Sequence, residues 1–339
     1  MQYLSTLTAH FSQSECKVID IIQSLWSDYG HISRCSVSAL DTSVIVKYVD
    51  LRSIPDHPRG WSGAVSHQRK LASYQNEQQF YTSYAQSLNT HYTPSSQRMV
   101  PNIYFSEPHL IQGNQPLEEK KSVQEGFLFV LEDLDVLGYS YRFMTLSRSE
   151  ISVCVRWLAK FHAYFLTQDT PDLWPQGTYW HLATRQTEFA AMPESELKDA
   201  AVSIAQKLQS ARFQTLLHGD AKLANFCFSA DKQQVCAVDF QYVGRGVGVV
   251  DVVYLLGSCF TGEELALYAD DILAEYYSYL ANLGVDTKAI LEWQSLVSYA
   301  WADFERFLVG WSPGHKKLNA YSQSQTQKVL GSERASQSY

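Results

Sequence analysis

Asp220 and Asn225 stand five residues apart in the run His218-Gly219-Asp220-Ala221-Lys222-Leu223-Ala224-Asn225, and a second Asp follows in Val238-Asp239-Phe240-Gln241, fourteen residues beyond the Asn. By type and spacing Asp220 could serve as a proton acceptor, and Asn225 and Asp239 as two oxygen ligands for Mg²⁺. Kinase-type phosphoryl transfer from ATP needs this set around one point. His-x-Asp-x4-Asn by itself arises by chance in a chain of this length with a probability on the order of 1%. Each residue also suits a bland position, since Asp and Asn are common in turns and helix caps, but the three together, in this order and spacing, favour the site. His218 has the chemistry of a general base; two residues before Asp220, it reads instead as a side chain that packs and hydrogen-bonds within the loop.

Short apolar runs surround these residues. Phe213 to Leu217 and Phe226 to Phe228 read as strands flanking the loop, and Val235 to Val238 as a third that delivers Asp239 at its end. A turn at Ser229 to Lys232 separates the last two, so a pair of strands would hold Asn225 and Asp239 side by side, as shared coordination of a hard cation requires. Earlier in the chain, Val18 to Trp26, Ile32 to Leu40 and Ser43 to Val49 read as successive strands of a small antiparallel sheet. A breaker-rich connection from Arg52 to Gly63 leads into a helix over Gln68 to Leu88, and Ile103 to Phe105 and Phe127 to Leu131 add two strands around a polar insert, Gln112 to Gln124.

Lys47 lies near the end of an alternating strand, where an inward ammonium would meet the α- and β-phosphates of ATP if a carboxylate on the following helix held it. Glu77 is the candidate carboxylate. No Gly-x-Gly-x-x-Gly or Walker A run occurs, which disfavours P-loop NTPases and ordinary protein kinases. A phosphate lid is then expected from Ser24 to Gly30, using the Ser27 hydroxyl and backbone amides near Gly30.

The quoted residues resemble the choline kinase and aminoglycoside phosphotransferase superfamily. Gln241 after Asp239-Phe240 is closest to its ecdysteroid-kinase-like group, and Lys222 departs from that group's usual Trp. The resemblance runs from about Ile22 to Phe307 and is strongest from Gly126 to Gly257. It implies an α+β, two-lobed protein-kinase-like fold with an antiparallel-sheet N-lobe at residues 1–133 and a mainly helical catalytic and acceptor-binding C-lobe at 134–321, while the Ser/Gln-rich composition of 322–339 predicts a disordered tail. It also implies a hinge at Leu131-Glu132-Asp133-Leu134, where the Glu132 carbonyl and Leu134 amide would meet the adenine edge while the Glu132 and Asp133 side chains serve structure. Asp251 matches the family's second structural acid, bracing the 218–225 loop through backbone amides. His162, within a helix expected over Ser149 to Phe165, is assigned no role.

Composition bounds the partners. The 339 residues are 45% hydrophobic and 18% charged, ordinary for a globular protein, and the formal charge of −8 argues against nucleic acid while tolerating a cationic substrate. Six cysteines without Cys-x-x-Cys or metal spacing suit free thiols in a reducing cytoplasm. The N-terminus has no signal-peptide pattern, and Asp251 interrupts the apolar run Val247 to Leu256, so no membrane span is expected. Leu173 to Pro175, Thr178 to Trp180 and the helical C-terminal part mark the expected acceptor pocket, with Tyr254, Trp301, Asp303, Phe304, Glu305 and Trp311 as an aromatic and acidic box for an ammonium or a sterol-like body. The reading is an ATP- and Mg²⁺-dependent kinase for a small-molecule alcohol that is choline-like, aminoglycoside-like or a hydroxylated lipid or steroid. The alternative is a pseudokinase, a nucleotide-binding or protein-interaction module without turnover, and retention of Asp220, Asn225, Asp239 and Lys47 together argues against it.

Overall fold

The computed structural model describes residues 3–25, 29–51, 64–92, 98–108 and 126–337. The chain divides into two compact units, Met1–Ser140 and Tyr141–Tyr339.

The first unit opens with helix α1 (Leu4–His10), then strands β1 (Cys16–Ser24), β2 (Gly30–Val37) and β3 (Thr42–Asp50), helices α2 (Ala64–Ser83) and α3 (Ala85–Tyr92), and strands β4 (Ile103–Pro108) and β5 (Gly126–Glu132). The strands form one antiparallel sheet in the order β1-β2-β3-β5-β4. Alternation in β3 sorts its side chains between two faces. Val44, Val46 and Tyr48 join Tyr3, Leu7 and Phe11 in a core cluster that also takes Leu128 and Val130. Lys47 alternates with these residues, and its register partner in β5 is Phe129. The helix expected over Gln68 to Leu88 is two helices around Tyr84; bonds from Tyr84 N to Phe80 O (2.9 Å) and Leu88 N to Tyr84 O (3.1 Å) carry the ladder across the break.

The second unit contains α4 (Ser152–Phe165), α5 (Gln186–Ala190), α6 (Glu196–Asp199), α7 (Ala201–Gln209), β6 (Thr215–Leu217), β7 (Phe226–Phe228), β8 (Val235–Ala237), β9 (Gly244–Gly246), α8 (Val249–Cys259), α9 (Gly262–Asn282), α10 (Thr287–Ser295), α11 (Val297–Trp311) and α12 (Ala320–Gln337). Helix α8 is buried from Val249 to Gly257, as its nearly unbroken apolar sequence requires. Helix α9 starts in a capping box, with Glu264 N on Thr261 Oγ1 (3.3 Å) and Thr261 N on Glu264 Oε2 (2.8 Å).

The C-terminal segment is not a disordered tail. Residues 322–337 lie in α12, where Ser322, Gln325, Thr326, Val329 and Leu330 are buried at helical spacing. Composition does not show this, because the polar residues of the buried face have partners while Gln323, Ser324 and Gln327 face outward: Thr326 Oγ1 donates to Glu305 Oε2 (3.1 Å), and Gln325 Oε1 accepts from Ser298 Oγ (2.8 Å). Val329 packs with Ile204 and Ala302. Val329→Ala is expected to lower unfolding free energy by about 1.5 kcal/mol, the worth of two buried methyl-sized groups. Denaturant titration checks this; no change would detach the helix from the core.

Candidate active site

The site residues of the second unit hang on one hairpin and one buried acid. Strands β7 and β8 pair antiparallel, Phe226 opposite Ala237, and one further bond joins Val238 N to Asn225 O at 3.0 Å. Asn225 therefore enters β7 where Asp239 leaves the end of β8. Asp239 turns off the strand in the left-handed region, φ 68°, a conformation that Asp adopts more readily than most residues.

Asp251, in the first turn of α8, holds the start of the 218–225 loop. Its carboxylate accepts His218 N at 2.6 Å and Gly219 N at 3.0 Å, and His162 Nε2 lies 3.2 Å away. With Nε2 donating, His162 Nδ1 accepts from the Tyr276 hydroxyl at 2.8 Å, and burial raises the Tyr276 pKa well above its ordinary value, keeping it a donor. His162 is thus a satisfied core histidine. Gly219 has φ 79°, and a Cβ there would stand 2.0 Å from Tyr242 O, so only glycine fits this turn. His218 is also structural. Its Nδ1 accepts Asp220 N (3.3 Å), its Nε2 donates to Val238 O (3.0 Å), and complete burial lowers its pKa.

The Asp220 carboxylate is asymmetric. Oδ2 accepts from Lys222 Nζ at 2.7 Å and from Asn225 Nδ2 at 3.1 Å, whereas Oδ1 is buried without a donor at hydrogen-bond distance, and the Tyr254 hydroxyl lies close enough to interact with the carboxylate. A buried acceptor without a donor is uncommon and calls for an explanation; here it leaves one carboxylate oxygen for an incoming hydroxyl proton. Asn225 Nδ2 also donates to the Asp220 carbonyl at 2.8 Å, so the amide nitrogen is committed and the amide oxygen remains the ligand-capable atom. Gln241 Nε2 donates to Asp239 Oδ1 at 2.6 Å. Burial would lower the Lys222 pKa, but Asp220 and Asp239 outweigh it and the net shift is upward, so Lys222 is an ammonium.

Among the described residues no group of three or more His, Cys, Asp or Glu side chains could hold a metal. Asn225 and Asp239 supply only two hard oxygen donors. This fits Mg²⁺, which keeps several waters and takes phosphate oxygens instead of entering an all-protein cage.

In the first unit, the Lys47 ammonium lies 2.9 and 2.7 Å from the two oxygens of Glu77, with side chains 6% and 1% exposed. The pair expected from sequence order is formed. Glu132 accepts from Arg98 (3.0 and 3.1 Å) and Asn102 N (2.9 Å), and Asp133 from Arg34 (2.6 Å) and Ser43 (2.6 Å), so both side chains brace the end of the sheet. Leu134 follows them, its carbonyl accepting Tyr139 N at 2.8 Å. Gly30 opens β2 opposite Val49 with φ 133°, and its carbonyl accepts Leu25 N at 2.8 Å. Ser27, the other lid candidate, lies outside the described residues.

The aromatic insert is pinned to the loop: Thr178 N donates to Tyr242 O (3.1 Å) and Tyr179 N to Gly219 O (3.3 Å). Tyr179 and Tyr254 hydroxyls meet at 3.1 Å, and the Trp180, Tyr254 and Phe304 rings are in mutual contact. The expected acidic members of this box are not free. Asp303 is committed to Arg306 (3.0 and 2.9 Å), Glu305 turns to Thr326 of α12, and Trp301 packs on Tyr321. The faces of Tyr254 and Phe304 instead receive the Lys317 ammonium, 4.5 and 5.4 Å from the ring centroids. Nothing in the local sequence signals Lys317, which lies between α11 and α12 and reaches the box only through the tertiary fold.

The model of the ecdysteroid kinase-like family matches residues 62–179 and 175–287, more than half the chain. The chain belongs to this family. A comparison with curated proteins finds no significant match. Among solved structures, a microcompartment-associated aminopropanol kinase aligns at a TM-score of 0.51 and 13% identity, covering 98% of this chain and 95% of the other. The amicoumacin kinase hAmiN, in complex with AMP-PNP, Ca²⁺ and Ami, aligns at 0.51 and 13%, covering 93% and 86%. Likeness at this identity concerns the fold, which is the two-lobed, kinase-like α+β fold that the motif order implied. No helix among the described residues is long and apolar enough to cross a membrane.

Proposed function

We propose that this ecdysteroid kinase-like protein transfers the γ-phosphoryl group of ATP to a hydroxyl of a small-molecule alcohol. The buried Oδ1 of Asp220, which accepts no hydrogen bond, beside the strand pair that brings Asn225 and Asp239 together, is the observation that carries this reading. Asp220 Oδ1 takes the acceptor's hydroxyl proton as its oxygen bonds to the γ-phosphorus; the bond from that phosphorus to the β,γ-bridging oxygen breaks, and ADP leaves. Asn225 Oδ1 and Asp239 would hold Mg²⁺, which would supply neutralisation of charge on the phosphates. Lys47, fixed by Glu77, is assigned to the α- and β-phosphates. The Glu132 carbonyl and Leu134 amide are assigned to adenine, and Ser27 and Gly30 to the lid. The domain roles follow: nucleotide binding at 1–133, catalysis and acceptor binding from 134 onward. Six free cysteines suit a reducing cytoplasm.

Purified protein assayed for ADP release against a broad alcohol panel tests the reading, and no acceptor-dependent turnover on any alcohol would favour a pseudokinase. Nucleotide binding should also need metal, because two protein oxygens make a poor Mg²⁺ site until phosphate oxygens complete it. Calorimetry should find ATP at least about tenfold weaker in excess chelator than with Mg²⁺, and Asp239→Asn should erase most of that difference. Equal affinity in chelator and Mg²⁺ would remove Asp239 from the metal role.

A further inference from the structure

Lys317 is a partly buried cation whose facing carboxylate, that of Asp220, is already held by Lys222. Its Nζ sits over Tyr254 and Phe304, and among the described residues no carboxylate forms an ion pair with it. The ammonium therefore occupies the aromatic faces that would otherwise receive an external ammonium. A second unmatched donor lies in the same cluster: Trp180, in ring contact with both Tyr254 (4.8 Å) and Phe304 (5.1 Å), has a buried indole N–H with no acceptor. Lys222 adds another ammonium at Asp220, 2.7 Å from its Oδ2. The carboxylates expected to complement a cation, Asp303 and Glu305, are bonded elsewhere. The formal charge of −8 is thus no guide to the charge inside this box.

We propose that Lys317 is a specificity-determining residue that selects alcohols carrying an anionic group, such as a carboxylate, sulfonate or phosphate, and excludes quaternary ammonium alcohols. The proposal rests on the kinase reading of Asp220 and names the acceptor class for that site. An ammonium already in the aromatic box repels a second one and attracts an anion, and partial desolvation strengthens both effects. The charged and titratable groups facing Lys317 are Asp220, Lys222, Tyr254, Cys259 and Lys316. Burial, the largest influence, and the two lysines lower its pKa, Asp220 and Cys259 oppose them, and the result is about 8. An anionic ligand favours the protonated form, so its binding at pH 8 draws in a proton and weakens as the pH rises.

Three alcohols sharing one hydroxyethyl unit test this: isethionate (anionic), 3,3-dimethylbutan-1-ol (neutral) and choline (cationic). Each is titrated calorimetrically into native protein, Lys317→Met and Lys317→Arg with Mg-ADP present. In native protein at pH 7, isethionate should bind at least about tenfold tighter than the other two, a margin within the reach of one partly desolvated charge contact. Raising the pH from 7 to 9 should weaken it by about tenfold as Lys317 deprotonates, with heats at pH 8 that depend on buffer ionisation. Lys317→Met, which keeps the chain length and apolar packing, should abolish the preference, and Lys317→Arg should retain it. Choline binding as tightly as isethionate, undetectable isethionate binding, or an unchanged preference in Lys317→Met would overturn the proposal. The outcomes separate from the kinase reading: a Lys317-dependent anion preference without phosphorylation of any alcohol sinks only the kinase assignment, whereas turnover with choline preferred sinks only this one.

Discussion

Asp220→Asn is expected to lower kcat by about 10²- to 10⁴-fold, the usual range for a lost general base, while Mg-ATP affinity stays within about twofold. The asymmetry of the carboxylate gives the reason. Lys222 and Asn225 donate to Oδ2 and would recruit the amide oxygen of the asparagine, which turns its NH₂ toward the unpartnered Oδ1 position. A donor then faces the substrate hydroxyl where an acceptor is needed. The forfeited ion pair joins a buried Asp220 carboxylate to a half-exposed Lys222, so some stability is lost with it, and denaturant unfolding of the variant sets that loss apart from the change in kcat. Single-turnover kinetics on the acceptor found by the alcohol panel, beside Mg-ATP calorimetry, separates the two readouts. A variant retaining more than about a third of native turnover would remove Asp220 from the proton-accepting role.

The parts of the site legible in the sequence are those set by short-range chemistry. Asn225 and Asp239 were placed together by the turn residues between two apolar runs, and the β7–β8 register bears out that adjacency because hairpin pairing follows directly from turn position. Asp251 and His162 sit where motif order and apolar surroundings placed them. Long-range packing was not legible. The Ser/Gln-rich terminal segment reads as disordered because composition counts polar groups without counting their partners, and Glu305 and Ser298 provide those partners from α11. The aromatic box was legible as a list of residue types but not in its charge. Asp303 lies one turn from Arg306 on the same helix face, a spacing that allows their pairing, yet that the ammonium over Tyr254 comes from Lys317 follows only from where the chain between α11 and α12 returns.

Glu77→Ala is expected to destabilise the protein by about 3–5 kcal/mol, the penalty typical of removing one partner of a buried ion pair. The Lys47 ammonium bonds both Glu77 oxygens at 2.9 and 2.7 Å, and the Tyr74 and Phe129 rings are among its other neighbours, with centroids 5.4 and 5.9 Å away. Aromatic faces recover only part of the lost interaction, on the order of 1–2 kcal/mol at a desolvated site. Buried ion pairs often contribute little net stability against apolar residues of similar volume, so Lys47→Met combined with Glu77→Leu should recover much of the loss, within about 1–2 kcal/mol of native. Function should part from stability in that double variant: the refolded core lacks the ammonium assigned to the α- and β-phosphates, and Mg-ATP affinity falls while denaturant midpoints return. Glu77→Ala, Lys47→Met and the double variant, compared by denaturant unfolding and Mg-ATP calorimetry, complete the cycle. If Glu77→Ala unfolds like native protein, the carboxylate does not hold Lys47; if the double variant binds Mg-ATP as native does, the pair serves only the fold of the sheet and helix α2, and another cation meets the phosphates.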